Sequence, residues 1–209
     1  MKKDEVIARV LPQFFPKHWL DNPGIVSSEF PSRIGIGYVL RSDGLYSYLV
    51  EEELGTLGLS VAELHEAAVG NLAHLPPAAI SIGKVPGGAE GWLHAVEDNF
   101  AAARILIPAV QREFAQELGE PFLIALSHRD DCFCWSEQQS PERQRKHIRE
   151  AVERFLAEEY NLTPDILRFS RGSFSLYLEQ AAEPVASPNG GPAARLGNSG
   201  AGGGPPSVS

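Results

Sequence analysis

The sequence predicts an α+β fold, with an N-terminal helix followed by repeated ββα units and a closing ββ pair. The predicted sheet is largely antiparallel, with helices mainly on one face. Three observations carry this expectation. Runs rich in branched and aromatic residues come in pairs split by Gly, Pro or Asp. Segments with apolar residues at helical spacing separate those pairs. Hairpins that alternate with helices favour antiparallel pairing with the helices laid against the sheet.

Taking the elements in order, Val6, Ile7, Val10, Leu11, Phe14 and Phe15 fall at helical spacing, and Pro12 and Pro16 limit that helix. IGIGYVLRSDGLYSYLV then predicts strands over 34–41 and 45–50, because Asp43-Gly44 accepts the positive φ angles of a tight turn. Ser60 and Glu63 form a capping box, and Val61, Leu64, Ala68 and Leu72 share one face, which predicts a helix over 61–74. AAISIG and GWLHAVE read as strands joined through VPGG. Asp98 can cap the next helix, whose stripe runs through Phe100, Ala103, Ile107, Val110, Phe114 and Leu118 to Gly119. Pro108 lies inside that stripe. A proline there costs ~3 kcal/mol in a regular helix, so a kink or restart is expected. PFLIALS and CFCWS flank HRDD as a third hairpin, and Ser140-Pro141 opens a helix with Ile148, Val152, Phe155 and Leu156 on its apolar stripe. DILRFS and SFSLYLE close the fold around Arg171-Gly172.

Residues 1–180 are expected to form a single domain. The Gly/Pro/Ser-rich stretch over 181–209 contains almost no large apolar residue to offset the entropy of ordering it, and reads as a disordered tail. The chain carries a formal charge of −9, and within the tail Glu183 and Arg195 cancel, so the charge belongs to the folding part. Such a surface repels phosphate backbones and argues against nucleic acid as a partner. The basic run Arg143-Gln-Arg-Lys-His147 is followed by Glu150, Glu153, Glu158 and Glu159, and reads as a solvated mixed-charge face. The longest apolar run, around Ile105 to Val110, is far short of the ~20 residues a membrane span needs. MKKDEVIARV is broken by charges before any signal-peptide core forms. Two cysteines one residue apart make a poor disulfide and fit a reducing compartment. These features predict a soluble cytoplasmic protein with no membrane partner.

The stretch LSHRDDCFCW, 126–135, holds a histidine, an arginine, two aspartates and both cysteines of the chain. On a strand, Cys132 and Cys134 share one face, and Phe133 and Trp135 take the other. Two thiols on one face are candidate metal ligands, but zinc wants four ligands, and His128, Asp130 or Asp131 would have to complete the set. Core packing is the simpler reading of both cysteines, and no metal or cofactor is expected. His128, Asp130 and Asp131 are the candidate catalytic residues, since a carboxylate beside an imidazole tunes its acid–base chemistry. Together with Arg129, these three residues also suit a polar hairpin turn. His65-Glu66 lacks the second histidine of a zinc-protease helix, and Gly83-Lys84 lacks the remainder of a phosphate loop. His94, beside Trp92, reads as a half-buried packing residue.

EEELGTLGLSVAELHEAAVGNL at 51–72, DNFAAARILI from 98 and the Arg129-Asp130 pair after PFLIALSH resemble the YtpQ-like bacterial proteins, a domain of unknown function, over about 34–178. The resemblance implies the same fold and carries no activity onto residues here. Where that family tends to have Pro-Ser before its Arg-Asp pair, this chain has Ser127-His128. It has cysteine at 132 and 134 where the family is usually apolar, and Pro108 departs from the family's middle helix. These readings lead to a non-enzymatic adaptor that binds a protein partner through the sheet's exposed face or a helix groove. A hydrolase using His128, Asp130 and Asp131 is the alternative.

Overall fold

The computed structural model describes residues 2–21, 24–42, 45–94, 98–157 and 159–180. The Asp43-Gly44 turn and the tail over 181–209 lie outside the described residues. The order is α1 (Lys3–Ile7), β1 (Val10–Pro16), α2 (Lys17–Leu20), β2 (Ser27–Ser28), β3 (Ile34–Ser42), β4 (Leu45–Tyr48), α3 (Glu51–Leu57) and α4 (Val61–His74). Then come β5 (Ala79–Val85), β6 (Gly88–His94), a 3-10 turn (Ala102–Leu106), α5 (Pro108–Leu118), β7 (Phe122–Ala125), β8 (Asp131–Ser136), α6 (Pro141–Ala157), β9 (Ile166–Ser170) and β10 (Ser173–Leu178).

The α+β class and the antiparallel pairing hold, and the strands divide into two sheets. In the four-stranded sheet β3 is central, with β1 along one side and β2 and β4 along the other. The six-stranded sheet runs β10-β9-β7-β8-β6-β5, and every pairing in it is antiparallel. The helix predicted through Val10, Leu11, Phe14 and Phe15 is instead a strand paired with β3 from Val10↔Leu40 to Pro16↔Ile34. Residues 10–15 are all buried, so both faces of the strand are apolar and periodicity does not distinguish strand from helix. Pro12 decides the matter, because an edge strand tolerates a missing N–H that a helix interior does not.

Other local signals play out as read. Ser60 and Glu63 make the reciprocal capping box of α4, with Ser60 N–H donating to Glu63 Oε2 at 2.9 Å and Glu63 N–H to Ser60 Oγ at 3.2 Å. Asn71 of α4 donates to the carbonyls of Ile7 and Val10, at 2.7 and 2.9 Å, and fixes the α1–β1 turn. The helix does restart at Pro108: Ile107 is extended (φ −76°, ψ 122°), and the proline takes the first position of α5. Arg171 and Gly172 turn the last hairpin with φ of 53° and 74°.

Residues 100–107 are buried without exception, and the segment lies between the sheets. Gln13 donates to Asn99 O at 3.0 Å and Tyr46 Oη to Asp98 O at 3.3 Å, while Ala102 N–H reaches Arg129 O at 3.1 Å. One apolar cluster therefore joins residues of β1, β3, α4 and α5 with the inner face of β7, β8 and β9. A second, smaller cluster covers the opposite face of the six-stranded sheet, where Leu123, Ala125, Phe133, Trp135 and Ile166 meet Ala151 of α6. Helices α5 and α6 thus lie on opposite faces of this sheet, rather than mainly on one. The stripe of α6 is also rotated from the predicted one: His147, Ala151 and Phe155 are buried, and Leu156 is exposed.

Phe114 of α5 is fully buried, and its ring lies where a Cβ on Gly91 would come within 2.6 Å of Cε1. Phe114→Ala is expected to cost ~3–5 kcal/mol through lost burial and the cavity left behind. Gly91→Ala should destabilise the native background but cost much less beside Phe114→Ala, because the clash is with that ring. Denaturant titration of the two single variants and the double variant checks this. Additive losses would show that the ring and Gly91 are not in contact.

Candidate functional site

The connection between β7 and β8 presents His128, Arg129, Asp130 and Asp131, and each is engaged by a different neighbour. Asp130 N–H donates to His128 Nδ1 at 3.1 Å. That nitrogen is thereby an acceptor, and cannot also hold a proton aimed at the Asp130 carboxylate, whose Oδ2 is 3.7 Å away. The usual orientation of a catalytic imidazole by a carboxylate is therefore not formed. Arg129 lies over the Tyr160 ring, 3.6 Å from its centroid, and its Nη2 donates to Asn99 Oδ1 at 3.4 Å. Asp131 turns the other way, opposite the cysteines, and pairs with Arg154 of α6.

Burial pushes the Asp131 carboxyl above its ordinary value, with Arg154, His128 and His94 opposing the rise. The cleft lined by Asp131, Arg154, Trp92 and Phe133 measures about 10 Å³. That is about the space one water needs, and neither His128 nor Asp130 lines it. The structure therefore does not bring His128, Asp130 and Asp131 around one concavity. It makes them a polar junction that ties the hairpin to the end of α6 and to the segment at 98–102.

Cys132 and Cys134 are wholly buried on the face of β8 that meets the main core, with their Sγ atoms 3.6 Å apart. Burial drives the Cys132 thiol well above its ordinary value, and the neighbouring thiol adds to this. Among the described residues no group of three His, Cys, Asp or Glu side chains gathers as metal ligands. His65 hydrogen-bonds through Nδ1 with Tyr38 Oη at 3.0 Å, and Tyr38 Oη with Ser28 Oγ at 2.6 Å. Burial lowers the histidine and raises the tyrosine. His94 stacks on Trp92 with ring centroids 5.7 Å apart.

A further polar cluster was not foreseen, where β6 meets α6. His147 Nε2 lies 3.0 Å from Glu90 Oε1 and 3.0 Å from Gln139 Oε1, and its Nδ1 is 3.6 Å from Glu150 Oε2. The same Glu90 oxygen accepts from Arg143 Nε at 2.9 Å. The imidazole rests against Phe133 and Trp135. Burial lowers it below its ordinary value, although Glu90 and Glu150 pull it upward. The only sequence signal for this group was spacing: His147 stands four residues before Ala151, which stands four before Phe155, so all three share a face. Glu90 and Arg143, 53 positions apart, have no local signature.

Comparison with protein-family models, curated proteins and solved structures finds no match.

Both thiols are expected to react slowly with a thiol reagent in the native state and rapidly in denaturant, since burial blocks access and disfavours the thiolate. Rapid labelling of native protein would remove the cysteines from the core. Separately, His65 and His147 are held below the ordinary imidazole value of 6.5. As pH falls through about 6.5 the unfolded chain takes protons before the folded one, so their contribution to stability declines toward the lower folded values. Thermal midpoints between about pH 7 and pH 5.5 should fall less steeply for the variant carrying His65→Gln and His147→Gln. Equal slopes would refute the assignment.

Proposed function

We propose that this chain is a non-enzymatic cytoplasmic adaptor that takes up a protein partner by strand addition at β10, and that it is related to the YtpQ-like proteins. The observation that carries the binding reading is the character of that edge. Among the described residues strand β10 pairs only with β9. Within Ser173–Leu178 there is no charge and no proline, and Leu176, Tyr177 and Leu178 are 43, 41 and 37% exposed. Edge strands are commonly blunted by lysine or proline. Strand β5, at the other end of the same sheet, carries an exposed Lys84, and β1 carries Pro12 and Pro16. An apolar, uncharged edge supplies backbone hydrogen bonds to an incoming strand and apolar contacts for its side chains. A register shift between Leu176 and Leu178 leaves Ser173–Leu176 as the regular ladder that a partner strand would extend. The relationship to the YtpQ-like proteins is supported by the three motifs quoted above. No helix among the described residues is long and apolar enough to cross a membrane.

The test compares the full chain with a variant carrying Leu176→Lys and Leu178→Lys as baits in the same extract. A protein retained in stoichiometric amount by the native edge and reduced ~10-fold or more by the charged one, at unchanged thermal midpoint, is expected. Equal retention by both baits, or retention of a small molecule alone, would overturn the reading.

A further inference from the structure

We infer that the concavity between the β5–β6 turn and the first three turns of α6 binds a small molecule through a phosphomonoester group. This concavity, about 720 Å³ in volume, lies within the range of small-ligand sites. Arg143, Lys146 and Arg149 line it at three-residue intervals, so one side of α6 presents three cations to the same space. Glu142 is the one acidic residue lining it, which leaves a local charge of about +2, matching the roughly −1.5 to −2 of a phosphomonoester.

The cations are not consumed by internal pairing. Arg143 is held by Glu90 through Nε alone, and among the described residues no acceptor engages its terminal nitrogens. Those nitrogens are the forked donors that suit a phosphate. Arg149 has no ion pair among the described residues, and Lys146 meets only Glu150, at 3.6 Å across an exposed surface. Such an exposed pair contributes little and is readily exchanged.

The opposite wall is built to stay in place. Gly87 and Gly88 turn the hairpin with positive φ, and a Cβ on Gly88 would come within 2.8 Å of Ser136 Cβ. Gln139 donates to Ala89 O at 3.0 Å, which seats the turn on the loop that leads into α6. The start of a helix of 17 residues faces the same space through Ser140 and Glu142, and its dipole favours an anion there. Glu90 acts as a positioning residue, because it fixes the Arg143 side chain and lies 3.0 Å from Nε2 of the buried His147.

The experiment titrates inorganic phosphate into the full-length, isotope-labelled chain and follows backbone amides at constant ionic strength. Saturable shifts at Gly87, Glu142, Arg143 and Lys146 are expected, weakened ~10-fold or more when Lys146→Ala and Arg149→Ala are combined. Arg145→Ala, one helix position away and outside the concavity, is expected to change the affinity less than ~2-fold. Three results would overturn the inference: shifts that do not saturate, an equal loss on Arg145→Ala, or acetate shifting the same amides as strongly as phosphate. Because β10 contributes nothing to this concavity, failure here is distinguishable from failure of strand addition.

Discussion

The arrangement of the two sheets depends on one buried ion pair, Arg104 with Asp98. Every residue from Phe100 to Ile107 is buried, and the one charged residue among them, Arg104, is 3% exposed. A guanidinium there must be fully met by acceptors. Its Nη1 donates to Asp98 Oδ1 at 2.9 Å, and Nη2 reaches both Asp98 Oδ2 and, at 2.8 Å, Pro76 O. The same carboxylate accepts from Phe100 N–H at 3.1 Å. Burial pushes Asp98 up, but Arg104 and that N–H outweigh it and hold the carboxyl below its ordinary value. Asp98 therefore directs the chain into the space between the sheets, and Arg104 ties it to the connection between α4 and β5. Removing one partner of such a pair leaves a bare buried charge, a loss of about 3–5 kcal/mol.

The second constraint follows from where this segment places the β7–β8 hairpin. Packed by the main core on one side and by α6 on the other, every residue of both strands is buried. Strand alternation then assigns the side chains. Cys132 and Cys134 go to the crowded face shared with Ile124, Phe122 and Phe114, while Phe133 and Trp135 go to the face beneath α6. Small thiols stand where the interior is filled from three directions, and large rings stand where a single helix has to be met.

Legibility in the sequence followed the range of each interaction. The α4 capping box, the restart at Pro108 and the Arg171-Gly172 turn depend on residues a few positions apart, and each was readable. Strand β1 was not, because burial on both faces erases the alternation that marks a strand. The stripe of α6 was misplaced by one face position, since a hydropathy pattern favours Leu156 over His147. Gln139 and the distant Glu90 meet the buried imidazole there. The candidate site divides in the same way. HRDD was legible as a turn, but its actual partners, Arg154, Tyr160 and Asn99, come from other elements, and they convert an apparent acid–base group into a structural junction.

Net charge and local charge act at different scales in this molecule. The chain as a whole carries −9, and an extended polyanion lying across its surface would meet that excess repeatedly. Screening confines the influence of exposed charges to roughly 8–10 Å at ordinary ionic strength. A compact anion seated among Arg143, Lys146 and Arg149 is therefore governed by those side chains and by the end of α6, not by the distant carboxylates. The mixed-charge pattern of α6 reflects this division. Glu90 from β6 and Glu150 of the helix itself flank the buried His147 imidazole, and Glu90 also fixes Arg143. The cations project along the neighbouring side, where their charge faces open space. A run of residues that looks like an averaged polar face in one dimension is thus separated, by the helical repeat and by one carboxylate from β6, into a structural side and a side able to hold an anion.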